Sequence, residues 1–224
     1  MYPVIVAFDP GRTVTLGVVL ESVKSLCGLV GGFKLGLPFL ALYGPRGFSE
    51  VRRSCGEGLV IADFKLADIG HVMRLVVEAV SGYIDAVIAH SFVGVEGALR
   101  DLKEFLDSVG LKLILVYNMS HSGALETMAP CRERLRRVIS SIKPWGVVAP
   151  ATRPEEVKEA RNLFPWAKIL SPGVGAQGAK PGTALCAGAD YEIIGRMLAY
   201  SRDPKAALES IAPGLKRCLG DSDA

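Results

Sequence analysis

Short apolar runs alternate along the chain with longer stretches in which apolar residues recur every three or four positions. Residues 3–9, Pro-Val-Ile-Val-Ala-Phe-Asp, predict a first strand, and the amphipathic stretch 14–27 predicts a helix. The same alternation continues with strands over 29–35, 59–64, 86–90, 113–117, 146–149, 167–171 and 191–194. Between them lie helical patterns over 38–54, broken at Gly44-Pro45, and over 72–80, 95–108, 130–142 and 154–163, with a last helix over 204–219. Eight strands separated by helices, each strand nearly continuous in Val, Ile, Leu and Ala, are the pattern of parallel strands covered on both faces. The expected architecture is therefore a closed (β/α)8 TIM barrel, with an open doubly wound sheet as the alternative that periodicity leaves standing. No linker, repeat or composition shift divides the chain, so one barrel domain over 1–224 is expected.

The polar residues that interrupt this pattern fall at strand ends. Asp9 closes the first strand, Lys34 the second, and Asp63 and Lys65 the third. His90 and Ser91 follow at the fourth, Asn118 to His121 after the fifth, Ser171-Pro172-Gly173 at the seventh, and Gly195-Arg196 after the eighth. In a (β/α)8 barrel these ends converge on one rim, the face on which such barrels carry out chemistry. Charges scattered in sequence would then form one cluster in space.

Two segments stand out. In Asp63-Phe64-Lys65-Leu66-Ala67-Asp68, alternation along a strand puts Asp63 and Lys65 on one face, about 7 Å apart along the strand. Neither charge is tolerable in an apolar core without a partner. A lysine held between carboxylates stays protonated, which suits it to deliver a proton rather than to act as an amine nucleophile. A structural ion pair is the bland alternative. The second segment, 171–182, is Ser-Pro-Gly-Val-Gly-Ala-Gln-Gly-Ala-Lys-Pro-Gly. Its glycines let backbone approach a ligand closely, and its place after strand seven is where barrels of this kind bind phosphate, with Gly195 and Arg196 completing the site. A flexible surface loop is the alternative there. No G-x-G-x-x-G follows the first strand, so a dinucleotide fingerprint is absent.

Composition narrows the partners. The 224 residues are half apolar and 22% charged, with a net charge of +3, which describes a globule with a large core and not a nucleic-acid tail. The basic turn Arg132-Glu133-Arg134-Leu135-Arg136-Arg137 is expected to be a solvated helix face. No apolar run reaches the roughly 18 residues that span a bilayer, and no cleavable leader precedes the first strand, so a cytoplasmic protein without membrane contact is expected. The five cysteines, Cys27, Cys55, Cys131, Cys186 and Cys218, are scattered and odd in number, which predicts unpaired thiols in a reducing compartment. His71, His90 and His121 show no zinc spacing, and Ser120 has no His/Asp relay in sequence, so neither a metal site nor a serine nucleophile is expected.

Together Ile61-Ala62-Asp63-Phe64-Lys65-Leu66-Ala67-Asp68-Ile69, Met119-Ser120-His121-Ser122-Gly123-Ala124 and residues 171–178 resemble the orotidine 5′-phosphate decarboxylase family, particularly its short archaeal type. The resemblance runs in consistent order from Asp9 to Arg196. It implies a cofactor-free, metal-free decarboxylation of orotidine 5′-phosphate to uridine 5′-phosphate in a homodimer. Lys34, Asp63, Lys65 and Asp68 would form an alternating charge array, with Asp68 reaching into the neighbouring subunit's site. Lys65 would protonate C6 of the pyrimidine, and Asp63 would lie by the substrate carboxylate. Asp9 and Lys34 would contact ribose, Ser120 the pyrimidine edge, Pro172 and Gln177 would belong to a loop closing over base and phosphate, and Gly195 and Arg196 would hold the phosphate. Two positions depart from the family pattern. Val72 stands where a ribose-binding threonine is common and cannot donate a hydrogen bond, and Ala179-Lys180 replaces the more usual Gly-Asp. Lys180 either adds attraction for an anionic substrate or points to solvent. The D-x-K-x-x-D motif is shared with magnesium-dependent sugar-phosphate decarboxylases and aldolases, which form the rival enzyme reading, and a silent nucleotide-phosphate binding protein forms the non-enzymatic one.

Overall fold

Strand β1 (Tyr2–Phe8) pairs in parallel with β2 (Val30–Gly36) on one side and with β8 (Tyr191–Ile194) on the other, through Val4↔Glu192, Ile5↔Ile193 and Val6↔Ile194. That second pairing closes the sheet. The order β1 to β8 runs without interruption through β3 (Leu59–Leu66), β4 (Ala86–His90), β5 (Lys112–Val116), β6 (Gly146–Val148) and β7 (Lys168–Val174). The computed structural model describes residues 1–218. Closure decides between the two sequence-based architectures in favour of the (β/α)8 barrel.

The helices that cover the barrel are α1 (Leu16–Leu26), α2 (Leu37–Ser54), α3 (Gly70–Glu78), α4 (Arg100–Ser108), α5 (Ala124–Thr127), α6 (Arg132–Ile142), α7 (Pro154–Leu163), α8 (Thr183–Cys186), α9 (Arg196–Ala199) and α10 (Pro204–Lys216). Their ends follow local chemistry. Thr15 caps α1 by accepting from the Val18 N–H, and Asp203 caps α10 by accepting from Ala206. Pro154 and Pro204 occupy first-turn positions, where a missing N–H costs nothing. Helix α2 is kinked at Gly44, whose φ is +60°, as the Gly-Pro pair predicted. The expected helix over 95–108 is a π turn at Val95–Leu99 followed by α4, because Gly97 takes φ +66°. Leu219, placed at the end of the last predicted helix, lies outside the described residues.

The N-terminal face of the barrel is tied by the same device in two places. Asp85, just before β4, accepts from the Val60 N–H on β3 and from Arg52 on α2. Four units further on, Asp190 before β8 accepts from the Ile169 N–H on β7 and from Arg161 on α7. Each carboxylate satisfies a strand-start amide and a helix guanidinium together, locking helix to strand at the end opposite the charged rim.

The cysteines correct the expectation of unpaired thiols. Cys27, which ends α1, is bonded to Cys55, which ends α2, and Cys186 at the end of α8 is bonded to Cys218 beyond α10. Cys131 alone is free, and it is exposed. Spacing hid the first pair because one βα repeat separates its members, and a barrel brings equivalent helix ends of successive repeats side by side. Among the described residues no helix is long and apolar enough to cross a membrane.

Titration of the unfolded, unreduced protein should find one thiol, and titration after reduction five. Each bond closes a sequence separation of 28 or 32 residues. Reduction should therefore lower the unfolding free energy by about 3.5 kcal/mol per bond on chain-entropy grounds. Five thiols before reduction, or an unchanged melting temperature after it, would contradict the pairing.

Candidate active site

Strand β3 departs from regular pairing at the residues that carry charge. Ala62 is in register with Val87, but Leu66 is in register with Ala89, so four residues of β3 advance against two of β4. Asp63, Phe64 and Lys65 occupy this irregular stretch, and Lys65 takes φ +43°, a left-handed conformation that non-glycine residues seldom adopt. The irregularity re-aims the side chains. The Lys65 Nζ donates to both oxygens of Asp63 at 2.8 Å, much closer than a regular strand would put two residues of one face. Backbone strain of this kind persists where the surrounding structure over-determines it, and it concentrates at functional sites.

From Asp63 the charges continue onto β2 and β1. The Lys34 Nζ lies 2.8 Å from Asp63 Oδ2 and 3.2 Å from Asp9 Oδ2. The result is one alternating line, Asp9–Lys34–Asp63–Lys65, with Lys34 and Asp63 buried at its centre. Burial opposes the charge on Lys34, but Asp63 and then Asp9 outweigh it and hold the ammonium above its ordinary range. Burial likewise opposes the charge on Asp63, and Lys34 and Lys65 outweigh it and hold the carboxyl below its usual range. His90, at the end of β4 and stacked on Phe92 with ring centroids 4.6 Å apart, is pushed below the usual imidazole range by burial and then by the Lys65 ammonium. It stands neutral beside the array.

The four residues of the line, though not His90, border a cavity of about 410 Å³ at the C-terminal mouth of the barrel. Asp9, Lys34, Asp63 and Lys65 form one wall, Ser120, Pro172 and Gln177 another, and Gly195 and Arg196 close the end beyond β8. Every predicted site residue except Asp68 is thus brought to one place. Asp68 is exposed on the loop after β3, where its Oδ1 accepts from the Ile69 N–H at 2.7 Å. Lys180 is exposed and forms no part of the cavity wall. A larger groove of about 730 Å³ runs between α3 and α4 on the outside of the barrel and holds none of the strand-end charges. Among the described residues no group of three or more His, Cys, Asp or Glu side chains is placed to hold a metal ion.

Sequence reasoning missed the residues that hold Ser120 in place. Arg153 donates to the carbonyls of Met119 and Ser120, while its Nε donates to Glu156 at 2.9 Å. Glu156, buried, also accepts from Asn118 at 2.7 Å and Arg132 at 3.0 Å. The signal was available: Thr152-Arg153 follows β6, the one strand end to which no polar residue had been assigned. At Gly173, φ is +107°, and a Cβ would lie 3.0 Å from Thr152 and 3.2 Å from the Gln177 amide oxygen. A side chain there would be strained by the backbone and would press on both Thr152 and the Gln177 amide.

A closed eightfold barrel with an acid–base array at its C-terminal rim and a glycine-rich loop after β7 defines a (β/α)8-barrel enzyme. The chain belongs to the orotidine 5′-phosphate decarboxylase / HUMPS family, whose sequence pattern matches residues 2–211. It is 53% identical over 211 residues to an orotidine 5′-phosphate decarboxylase of Aeropyrum pernix, covering 93% of this chain and 86% of the relative. The crystal structure of the Sulfolobus solfataricus orotidine 5′-monophosphate decarboxylase superposes with a TM-score of 0.87 at 36% identity, covering 98% of this chain and 100% of that one. The Methanocaldococcus jannaschii enzyme complexed with inhibitor BMP gives a TM-score of 0.87 at 30% identity, over 97% of this chain and 100% of that one.

Because Asp63 is more acidic in the fold than in the unfolded chain, it stabilises the fold above the ordinary carboxylate range, and that stabilisation is lost as pH falls through its folded value. Replacement by Asn would leave two ammonium groups facing each other. Asp63→Asn should cost about 3 kcal/mol at pH 7. The gap to wild type should narrow on acidification below the carboxylate range. Denaturant titrations across pH check this, and a gap that is absent at pH 7 or constant with pH would contradict it.

Proposed function

We propose that this chain decarboxylates orotidine 5′-phosphate to uridine 5′-phosphate, a step of pyrimidine biosynthesis, without a cofactor. The observation that carries the reading is the unbroken line Asp9–Lys34–Asp63–Lys65 in a cavity whose far end is Gly195-Arg196. A dianionic phosphate suits the guanidinium fork of Arg196 and the neighbouring backbone. With the phosphate there, the pyrimidine lies toward Ser120 and the array. The bond from C6 to the carboxylate breaks, carbon dioxide leaves, and the electron pair stays on C6. Lys65 Nζ then passes its proton to C6, and the neutral amine recovers a proton from solvent.

Charges already fixed by one another stabilise such a carbanion without reorganising during the reaction. Asp63, held ionised between two ammonium groups, stands beside the departing carboxylate, while Asp9 and Lys34 contact ribose. Gln177 belongs to the loop over base and phosphate, and Pro172, on strand β7, lines the cavity at the foot of that loop. Binding energy from the remote phosphate goes into ordering that loop and hence into the transition state.

A homodimer in which Asp68 serves the partner's site accounts for the one predicted residue that the single chain leaves outside its own cavity. Ile69 at 59% exposure and Leu75 at 52%, with Val72 between them on α3 and Phe92 at 58% after β4, supply an apolar face beside Asp68 that a second copy would cover. The whole chain, 1–224, acts as one domain in this reading, in the cytoplasm, where phosphorylated nucleotides are made. Two disulfides suit a cytoplasm of the hyperthermophile kind, in which intracellular proteins keep such bonds.

Metal-stripped protein should consume orotidine 5′-phosphate, followed by loss of absorbance, equally with and without chelator. No absorbance change would sink the reading, and activity only with magnesium on a keto-sugar phosphate would establish the rival enzyme. Lys65→Ala should lose at least about 10³-fold in turnover while remaining folded. Lys65→Ala and Asp68→Ala proteins, each nearly inactive alone, should on mixing regain activity in roughly a quarter of the sites, as random pairing across a two-fold interface requires. Absence of recovery would place Asp68 outside the partner's site.

A further inference from the structure

On β8, Ile193 faces the cavity, so its neighbour Glu192 faces outward, into the layer between barrel and helices. Glu192 has no exposed surface, and among the described residues no cation pairs with it. An apolar side chain would occupy such a position at no electrostatic cost, whereas a carboxylate without a counter-ion is costly there. What Glu192 gains is a pair of backbone bonds: Oε2 accepts from the Gly182 N–H and Oε1 from the Ala184 N–H, both at 2.8 Å. Burial pushes its carboxyl up in pKa, and these amides pull the other way.

Gly182 is the last residue of the glycine-rich loop. Its φ is +86°, and a Cβ would collide with the carbonyl of Gly214 on α10; a Cβ on Gly214 would in turn lie 2.8 Å from the Pro181 carbonyl. The loop's end is therefore wedged between the Glu192 carboxylate and α10, and the Cys186–Cys218 bond fastens that helix to α8. At the other end the loop is held by the sheet and by a bond from the Gly175 N–H to the Ala179 carbonyl at 2.8 Å. Its tip, Ala176-Gln177-Gly178, stands in solvent, as does Lys180, and Gln177 lines the cavity.

We propose that Glu192 is a positioning residue for the reaction: from outside the barrel it fixes the C-terminal end of the loop at Gly182 and thereby sets where Gln177 meets the substrate. This rests on the reading of the cavity as the site for orotidine 5′-phosphate. The residue touches no substrate and acts through the loop alone.

Glu192→Gln keeps the shape and one acceptor oxygen but turns an N–H donor toward the other amide. The variant should raise KM for orotidine 5′-phosphate about tenfold, the loss of one charge-assisted bond, with kcat within about twofold of wild type. A merely structural role predicts the reverse split, a lowered kcat from fewer folded molecules with KM unchanged, and that result would overturn the proposal. Hydrogen exchange on the unmodified protein tests it independently of any variant. Amides of 182–185 should be protected with or without uridine 5′-phosphate, whereas those of Ala176 and Gln177, which have no backbone partner among the described residues, should gain protection only when it binds. Exchange at 182–185 as fast as at the tip in the free protein would contradict the anchor. If wild type fails to consume orotidine 5′-phosphate, the assignment of the reaction falls, while the exchange result still decides whether Glu192 anchors the loop.

Discussion

A carboxylate buried between two ammonium groups is stable only while all three stay charged, and this requirement organises the rim of the barrel. Asp63 receives Lys34 and Lys65 at 2.8 Å each, and removal of any member would leave an uncompensated charge out of water. The line therefore behaves as one unit and not as four separate residues. Its cost is offset by Asp9 at one end and by the partial exposure of Lys65 at the other. Both ends reach solvent at the cavity, where substrate enters, and only Lys34 and Asp63 between them are buried.

The rest of the fold serves to hold that line still. Three successive strands supply its members, and at the opposite face the Asp85 device ties β3 to the start of β4 while the Asp190 device ties β7 to the start of β8. The slip of β3 against β4 and the left-handed backbone of Lys65 turn two side chains of one strand into a bonded pair. Such a pair would be poor packing in a core. At the mouth of a barrel it is a fixed electric field, which stabilises developing charge without the reorganisation that water would need. The loop after β7 adds the second requirement, a wall that excludes solvent, and its stems are tied to β7 on one side and to Glu192 on the other.

Much of this was legible in the sequence because barrels translate strand ends into a single rim. Asp9, Lys34, Asp63, Lys65, Ser120, Gln177 and Arg196 are far apart along the chain and share one cavity. The strands β4 and β8 and helix α7 fall where hydrophobic periodicity puts them. Strand β7 runs through Pro172-Gly173 to Val174, past the point where those residues ended the predicted strand, because β8 continues to pair with it. Periodicity carries no signal for the bulge in β3, which depends on how β4 lies against it. Nor did spacing show the cysteine pairs, the clamp of Arg153 on Met119 and Ser120, or the outward turn of Glu192. Each of these joins residues through tertiary contact alone.

The central claim is that the array stabilises a carbanion at C6 and that Lys65 handles its proton. Microscopic reversibility makes this accessible from the product side, by incubating uridine 5′-phosphate with the protein in deuterium oxide and following the C6 hydrogen by NMR. Wild type should exchange it for deuterium well above the rate in buffer alone, and Lys65→Ala should not. Exchange that survives the loss of Lys65, or its absence in a wild-type protein that decarboxylates normally, would contradict the account.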